Sequence, residues 1–460
     1  MRQAFSRDPQ TDRSLKASLK DAAAFATMTG IGETYFSAFA LFLRATTPQI
    51  GLLASLPPLL ASFVQLLSAW LGRLTGRRKA LILAGAGLQA VSWIPILLLP
   101  ILFPNHAVPL LITCVVLYQA GAHLVAPQWS SLMGDIVPVR RRGRFFALRT
   151  RLVTGVTFLS LLAGGFALHQ FNRQDRTLTG FALLFGIAAV ARLVSVYQLS
   201  KMHDPPGHVA ALEFPFGRSW WHRLRHSNVV RFSIFFALTQ FGVAIASPFF
   251  TVYMLRDLEF SYLAFTANTA TAVFAQFLTL AQWGRISDIF GNRRILAATG
   301  IVIPLMPLLW VFSSNFWYLI FVQAISGFAW AGFTLSASNF VYDLIAPNRR
   351  ATYLAIHNVI AGIGIFSGAM LGGYLGAILP TELDLAGWHL AWGSPLIGVF
   401  IVSFLVRTTV VVSLIPKVRE VRAVRDISLT DLIFRVTRLN ALSGVFFDIV
   451  GSRPKTSREE

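Results

Sequence analysis

The sequence predicts an all-α polytopic membrane protein of twelve transmembrane helices arranged as two pseudo-symmetric six-helix halves. Three observations carry this expectation. With 55% hydrophobic and only 13% charged residues in 460, at mean hydropathy +0.61, the chain has too little polar surface to clothe a soluble globule of its length. Apolar runs of roughly 20 residues, enough to cross about 30 Å of hydrocarbon, recur along the chain. Landmark residues of the first half return about 210 positions later.

Taken in order, the first six runs lie at 21–44, 50–71, 80–102, 110–136, 145–171 and 179–200, and the second six at 229–256, 262–283, 295–313, 316–345, 353–379 and 389–414. Their charges orient them. Of the 40 Lys and Arg, 33 fall at one set of chain ends and loops or within two turns of them, Arg149 and Arg151 included, four at or next to the other set, and Arg192, Arg231 and Arg407 lie inside runs. The positive-inside rule then places both termini in the cytoplasm, as an even number of crossings requires. Residues 1–20 are polar and basic with no apolar core or small-residue cleavage site behind them, so they read as a cytoplasmic tail and not as a cleavable signal. The net charge of +20 does not point to nucleic acid, because the basic residues are dealt out among short loops instead of gathered on one soluble face. The single Cys114, inside an apolar run, excludes an intramolecular disulfide and reads as a small core residue.

Between the halves, 201–228 carries Asp204-Pro205-Pro206-Gly207 and the basic aromatic patch Arg218-Ser219-Trp220-Trp221-His222-Arg223. Proline ends helices and the aromatic patch suits lipid headgroups, so this stretch reads as a linker at the membrane surface. The halves proper are 21–200 and 229–416. In 417–460, Leu429, Leu432, Ile433, Val436, Leu439, Leu442, Phe446 and Ile449 recur at helical spacing, which predicts an amphipathic helix on the inner surface.

Two loops carry a shared pattern. Gly284-Arg285-Ile286-Ser287-Asp288-Ile289-Phe290-Gly291-Asn292-Arg293-Arg294 is echoed by Gly72-Arg73-Leu74-Thr75-Gly76-Arg77-Arg78-Lys79. Glycines allow a tight reversal and arginines hold it on the cytoplasmic side. The repeat continues: Asp135 and Arg141-Arg142-Gly143-Arg144 match Asp343 and Arg349-Arg350 at an offset of 208, Arg44 matches Arg256 at 212, and Arg192 matches Arg407 at 215. The spacing G-x-x-x-D-x-x-G-x-R-R resembles the signature loop of the major facilitator superfamily, found between helices 2 and 3 and between helices 8 and 9. The resemblance covers nearly the whole chain and implies a bacterial inner-membrane secondary transporter. In such transporters parallel halves are related by an axis along the membrane normal, and the ligand site lies between them near the midplane.

Ionisable and polar groups in mid-span are costly and mark sites by default. Glu33 lies about 18 Å of helix from either surface by the 1.5 Å rise per residue, and its counterpart in the second half is Ile245. Two readings stand: a proton-coupling or substrate-binding group, or a glutamate held by interhelical hydrogen bonds for packing. Gln119, His123 and Trp129 on helix 4, Gln323, Trp330 and Asn339 on helix 10, Gln240 on helix 7, and the aromatics Tyr35 and Tyr253 complete the candidate lining. His123 is able to share a proton with Glu33 if both face one cavity, or to serve as a structural donor. Asp135 and Asp343, with Arg142, Arg144, Asp288, Arg285, Arg293, Arg294 and Arg350, form a candidate cytoplasmic gate whose ion pairs break and reform as the halves rock; otherwise they cap helices and set topology. The resemblance favours the gate for Asp288, while Arg73 stands where the first loop would carry its acid.

Drug/proton antiporter signatures are absent: Val116 stands where helix 4 would carry an arginine, and helix 5 lacks a Gly-Pro pair between Gly155 and Gly165. No Walker loop, HExxH, paired-cysteine or G-x-S-x-G pattern occurs, so no enzyme, metal or cofactor is expected. The expected function is a monomeric secondary active transporter of a small organic solute, coupled to protons, with lipid as its surroundings. The alternatives are a uniporter and a transporter-like receptor or scaffold.

Overall fold

A computed structural model describes residues 8–138, 142–205, 228–344, 350–385, 388–417 and 420. The linker patch at 206–227 and the amphipathic tail at 421–460 lie outside the described residues. The helices are α1 (Pro9–Ile31), α2 (Phe36–Phe42), α3 (Thr47–Thr75), α4 (Arg78–Leu102), α5 (Ala107–Ile136), α6 (Arg142–Arg173), α7 (Thr177–Ser200), α8 (Asn228–Ala246), α9 (Phe249–Val252), α10 (Tyr262–Phe290), α11 (Asn292–Phe312), α12 (Phe316–Leu344), α13 (Arg350–Ile378) and α14 (Leu396–Leu414). A hairpin, β1 (Glu382–Leu385) with β2 (Trp388–Ala391), sits before α14.

Twelve membrane crossings result. Eleven helical stretches among the described residues are long and apolar enough to cross a bilayer. The twelfth is α1 with α2, whose polar start and mid-span break keep it out of that set. Both halves therefore begin with an interrupted helix: α1 and α2 are joined by a 3₁₀ turn at Glu33–Tyr35, and α8 and α9 by Ser247 and Pro248, with a π turn at Tyr253–Asp257 beyond.

Two boundaries differ from the sequence reading. The first helix starts at Pro9 and not at 21, because Asp8 caps it by accepting from the Gln10 and Thr11 amides and proline occupies its first turn. Leu15, Ala17, Ala22 and Ala26 bury one face of this extension. The last helix starts at Leu396, after Pro395, and not at 389, since Trp388–Ala391 pairs as a strand with Glu382–Leu385.

The two signature loops turn on left-handed glycines, Gly76 at φ 62° and Gly291 at φ 83°, as their sequence requires. They lie at the end of the bundle that holds Pro9, here termed the base; the loops after α2, α4 and α9 lie at the opposite end, the rim. Near the rim one apolar core runs through both halves, uniting Phe36, Phe39, Trp93, Tyr118 and Phe185 with Phe249, Tyr253, Trp310 and Phe400. Towards the base the cores separate. Leu15, Ile82, Met133 and Phe145 pack within the first half, while Phe232, Phe333 and Phe340 pack within the second. The halves are thus joined at the rim and divided towards the base.

Candidate functional site

The site begins at Gly32. A β-carbon there would lie 2.5 Å from the Trp93 ring and 2.7 Å from Ala188, so only glycine lets the first helix press this closely against α4 and α7. The helix breaks at this point. The 3₁₀ turn that follows presents Glu33 to α5, where Tyr118 Oη donates to Glu33 Oε2 at 3.0 Å and Gln119 Nε2 donates to Oε1 at 3.1 Å. Irregular backbone at membrane depth is tolerated only where protein buries it or a cavity adjoins it.

One turn of α5 closer to the base lies a cavity of about 200 Å³, lined by Asp21 and Phe25 of α1, Gln89 of α4, Ala122, Val125, Ala126 and Trp129 of α5, Arg149 of α6, and Arg192 and Leu199 of α7. Asp21 and Arg192 are 3% and 2% exposed. Arg192 donates to Gln89 Oε1 at 2.5 Å and to Ser195 Oγ at 2.7 Å, and the Ser195 hydroxyl donates to Asp21 Oδ1 at 2.7 Å. Arg149 reaches Asp21 Oδ2 at 3.4 Å and stacks over the Trp129 ring at 4.1 Å. The sequence reading overlooked Asp21 and Arg149. Glu33 is not the only deep carboxylate, because the earlier start of α1 carries Asp21 into the bundle.

The repeated arginines have different environments. Arg407 is spent on backbone, donating to the carbonyls of Gly242, Val243 and Ile303 at 3.1 to 3.2 Å. Arg192 meets side chains and a cavity.

Other expected lining residues divide. Gln119 touches Glu33 and Trp129 lines the cavity, whereas Nδ1 of His123 has no hydrogen-bond partner and so shares no proton with Glu33 through that atom. Tyr35 does not bond to Glu33. Fully buried, it donates to the Leu161 carbonyl at 2.6 Å and meets Thr266 Oγ1 at 3.1 Å, bridging the halves. Tyr253 is 5% exposed and packs edge-on against Trp310 and Phe400 in the core, away from any lining role. Trp330 packs against Phe333, Gln323 is half-buried, Gln240 keeps a buried Oε1 without a partner, and Asn339 donates to Ser287 Oγ at 3.4 Å.

Asp135, Arg142 and Asp343 among the expected gate residues each bond to a residue of their own half. Asp135 accepts from Arg78, 2.5 Å away, and the same guanidinium holds Asp204 at 2.6 Å and the Pro205 carbonyl at 2.9 Å. Arg78 is the partner the sequence reading missed, although its place beside the Gly76 turn marks it. Asp343 accepts from Asn292 at 3.0 Å, Arg142 from α6 donates to the Gly134 carbonyl at 2.7 Å, and the Arg293 amide donates to Glu420 at 2.9 Å. Arg285 is exposed, and Arg294 has a partner. The side chains of Arg144, Asp288 and Arg350 lie outside the described residues.

At the rim the halves meet through Tyr35 and Thr266, through Arg256 donating to Thr47 Oγ1 at 3.1 Å, and through Gly165, where any β-carbon would overlap the Thr266 side chain. Towards the base, a cavity of about 780 Å³ separates α6 from α10, with Thr150, Arg151 and Thr154 facing Gln276 and Phe277.

A sequence profile of the Major Facilitator Superfamily matches residues 22–252 and again 232–447, one match per half. The chain belongs to that superfamily. Among curated relatives, it is 25% identical over 167 residues to the vacuolar basic amino acid transporter 1 of Saccharomyces cerevisiae, covering 36% of this chain and 28% of that one. It is 27% identical over 145 residues to the class B tetracycline resistance protein of Escherichia coli, covering 31% of this chain and 36% of that one. The matched stretches thus span about a third of these relatives' length. Among solved structures, the D-xylose–proton symporter superposes with TM-score 0.66 at 13% identity over 90% of this chain and 98% of that one. The nucleoside transporter NupG superposes with TM-score 0.65 at 13% identity over 89% and 99%. At such identity these structures share the fold. Superfamily membership and the eleven apolar helices make the chain a multi-pass membrane protein.

Proposed function

We propose that the protein is a secondary active transporter of a small organic solute in the bacterial inner membrane, with both termini cytoplasmic, working by alternating access and coupled to protons through Glu33. The observation that carries this reading is the broken first helix, which sets an acid at mid-span against Tyr118 and Gln119 beside a cavity. The joined rim and divided base match a state open towards the cytoplasm, and rocking the halves would exchange the two ends. In the same reading Asp288 and the arginines around it steady the outward-open state.

Glu33→Gln keeps the side chain's shape and holds it neutral. Substrate binding and exchange survive in this variant, while accumulation driven by a pH gradient disappears in proteoliposomes. Undiminished accumulation by the variant makes Glu33 a packing residue and returns the uniporter reading or a coupling group elsewhere.

A further inference from the structure

The cavity between α1 and α5 has a chemical bias of its own. Its walls hold two guanidinium groups and one carboxylate. Three polar atoms on its lining residues are buried without a hydrogen-bond partner: Nε of Arg149, Nε of Arg192 and Nε1 of Trp129. All three are donors, and no fully buried side-chain acceptor on a lining residue lacks a partner. Buried donors without partners cost free energy, and an acceptor-rich guest would recover it. The remaining walls, Phe25, Ala122, Val125, Ala126 and Leu199, are apolar. A volume of about 200 Å³ with one excess positive charge suits a small organic monoanion better than a multiply charged phosphate.

We infer that this cavity binds the carboxylate of a small organic acid, held by Arg149 and Arg192 in competition with Asp21, with Phe25 and Trp129 against its apolar part. The inference rests on the transporter reading and names the substrate class for it. Arg149 is poised for the exchange, since its contact with Asp21 is a long 3.4 Å while its stack on Trp129 fixes the guanidinium plane. A bidentate carboxylate is the partner that planar geometry fits best.

The same charges link the solute to Glu33. Arg192 stands within electrostatic reach of both Asp21 and Glu33. Glu33 is bonded by Tyr118 and Gln119 of α5, and the charged group that acts on it is Arg192 of α7; Asp21 of α1 and Arg149 of α6 line the cavity one turn closer to the base, His123 lies one turn along α5 from Gln119, and α4 contributes the neutral Gln89 and Trp93. With both acids ionised the two arginines are balanced. A proton on Glu33 leaves one positive charge in excess, so proton and organic anion assist one another's binding, and by reciprocity each is carried with the other.

Benzoate is a suitable probe and benzamide its uncharged control, measured by titration calorimetry on the full-length protein in lipid nanodiscs at pH 5.5 and pH 8. Benzoate binds, benzamide does not, and benzoate affinity falls as pH rises. Asp21→Asn removes the competing carboxylate and tightens benzoate by roughly fivefold or more, a typical coupling between sites. Glu33→Gln binds benzoate at both pH values alike. Arg149→Gln loses binding, and should that variant not fold, the gain in Asp21→Asn still decides the matter. Equal binding of benzamide, or no gain in Asp21→Asn, overturns the site. Benzoate affinity in the wild type that ignores pH overturns the link to Glu33. Benzoate failing to bind while a pH gradient still drives Glu33-dependent accumulation rejects this site and leaves the transporter reading standing.

Discussion

The hydroxyl of Tyr35 meets the hydroxyl of Thr266 at 3.1 Å, tying the broken first helix of one half to the second helix of the other. Both side chains are fully buried, and Tyr35 also donates to the Leu161 carbonyl, so three helices converge on one phenol at the rim. Tyr35→Phe deletes this bridge without creating a void. The cost to the rim-closed state is about 1 kcal/mol, the net worth of an ordinary buried hydrogen bond. Cysteines placed on the rim loops should label faster in Tyr35→Phe than in the parent, while thermal stability changes little. Equal labelling rates would show that the bridge is incidental to closure.

Gly165 supplies a steric version of the same test. A β-carbon there overlaps Thr266 and has no flexible neighbour to displace, because both helices are packed at that level. Gly165→Ala therefore opposes rim closure by about 1 to 3 kcal/mol, the usual cost of overpacking, and moves the population towards a rim-open state. Distance measurements between spin labels on α6 and α10 at the base should shorten in the variant. Unaltered base distances would mean that the two ends are not exchanged by one rocking motion.

Much of the fold was legible in the sequence because the bilayer demands it: twelve stretches must satisfy their backbones internally and expose apolar side chains, and that leaves long unmistakable runs. The misjudged ends are instructive. The first helix crosses from water into the bundle, and its start at Asp8-Pro9 is written in capping chemistry, which a hydropathy reading overlooks beside Arg13, Lys16 and Lys20. That oversight hid Asp21, and with it the cationic cavity. The hairpin before α14 was also visible, as the alternation Glu382-Leu383-Asp384-Leu385, but it sat beside an apolar run that absorbed it. Glu33 stood out as an acid in mid-run, whereas its partner Tyr118 could not be chosen among aromatics without the packing of α5 against the break.

Topology has a direct check. Asn105 and Glu382 are exposed in rim loops, and the native Cys114 is buried, so single cysteines at the two loop positions report without background. Both positions should react with a membrane-impermeant maleimide from outside the cell. Reaction of either position only after the membrane is opened would invert the orientation inferred from the charge distribution.

Arg78 organises the base of the first half. Its guanidinium is almost fully buried and holds Asp135, Asp204, the Ser131 hydroxyl and the Pro205 carbonyl, fastening the chain after α7 to α4 and α5. Arg78→Gln strands two carboxylates. A fully buried pair losing one partner costs about 3 to 5 kcal/mol, but these acids are partly exposed and water compensates them in part, so about 2 kcal/mol is expected. Asp135→Asn should cost less than half of this, since Asp204 still holds the arginine. Thermal unfolding in one detergent ranks the two, and the reverse order would show that Asp135 is the organising residue.

The matched arginines Arg192 and Arg407 separate structure from function within one repeat. Arg407 gives its donors to three carbonyls on α8 and α11, all inside the second half, and Gly242 leaves room for its stem. Lysine at this position keeps the charge but not the planar fork, so at least one carbonyl loses its partner and the helix pair loosens by about 2 kcal/mol. Arg192 has one donor to Gln89, one to Ser195 and one buried without a partner, and its side chain lines the cavity. Arg192→Lys should therefore leave unfolding within about 1 kcal/mol of wild type, the net value of a single hydrogen bond, and yet abolish solute accumulation. Arg407→Lys should lower the unfolding temperature and leave the apparent KM of the protein that remains folded unchanged. If both variants lose stability alike and neither alters transport beyond the loss of folded protein, the two arginines play one architectural role and the asymmetry between the halves has no functional content.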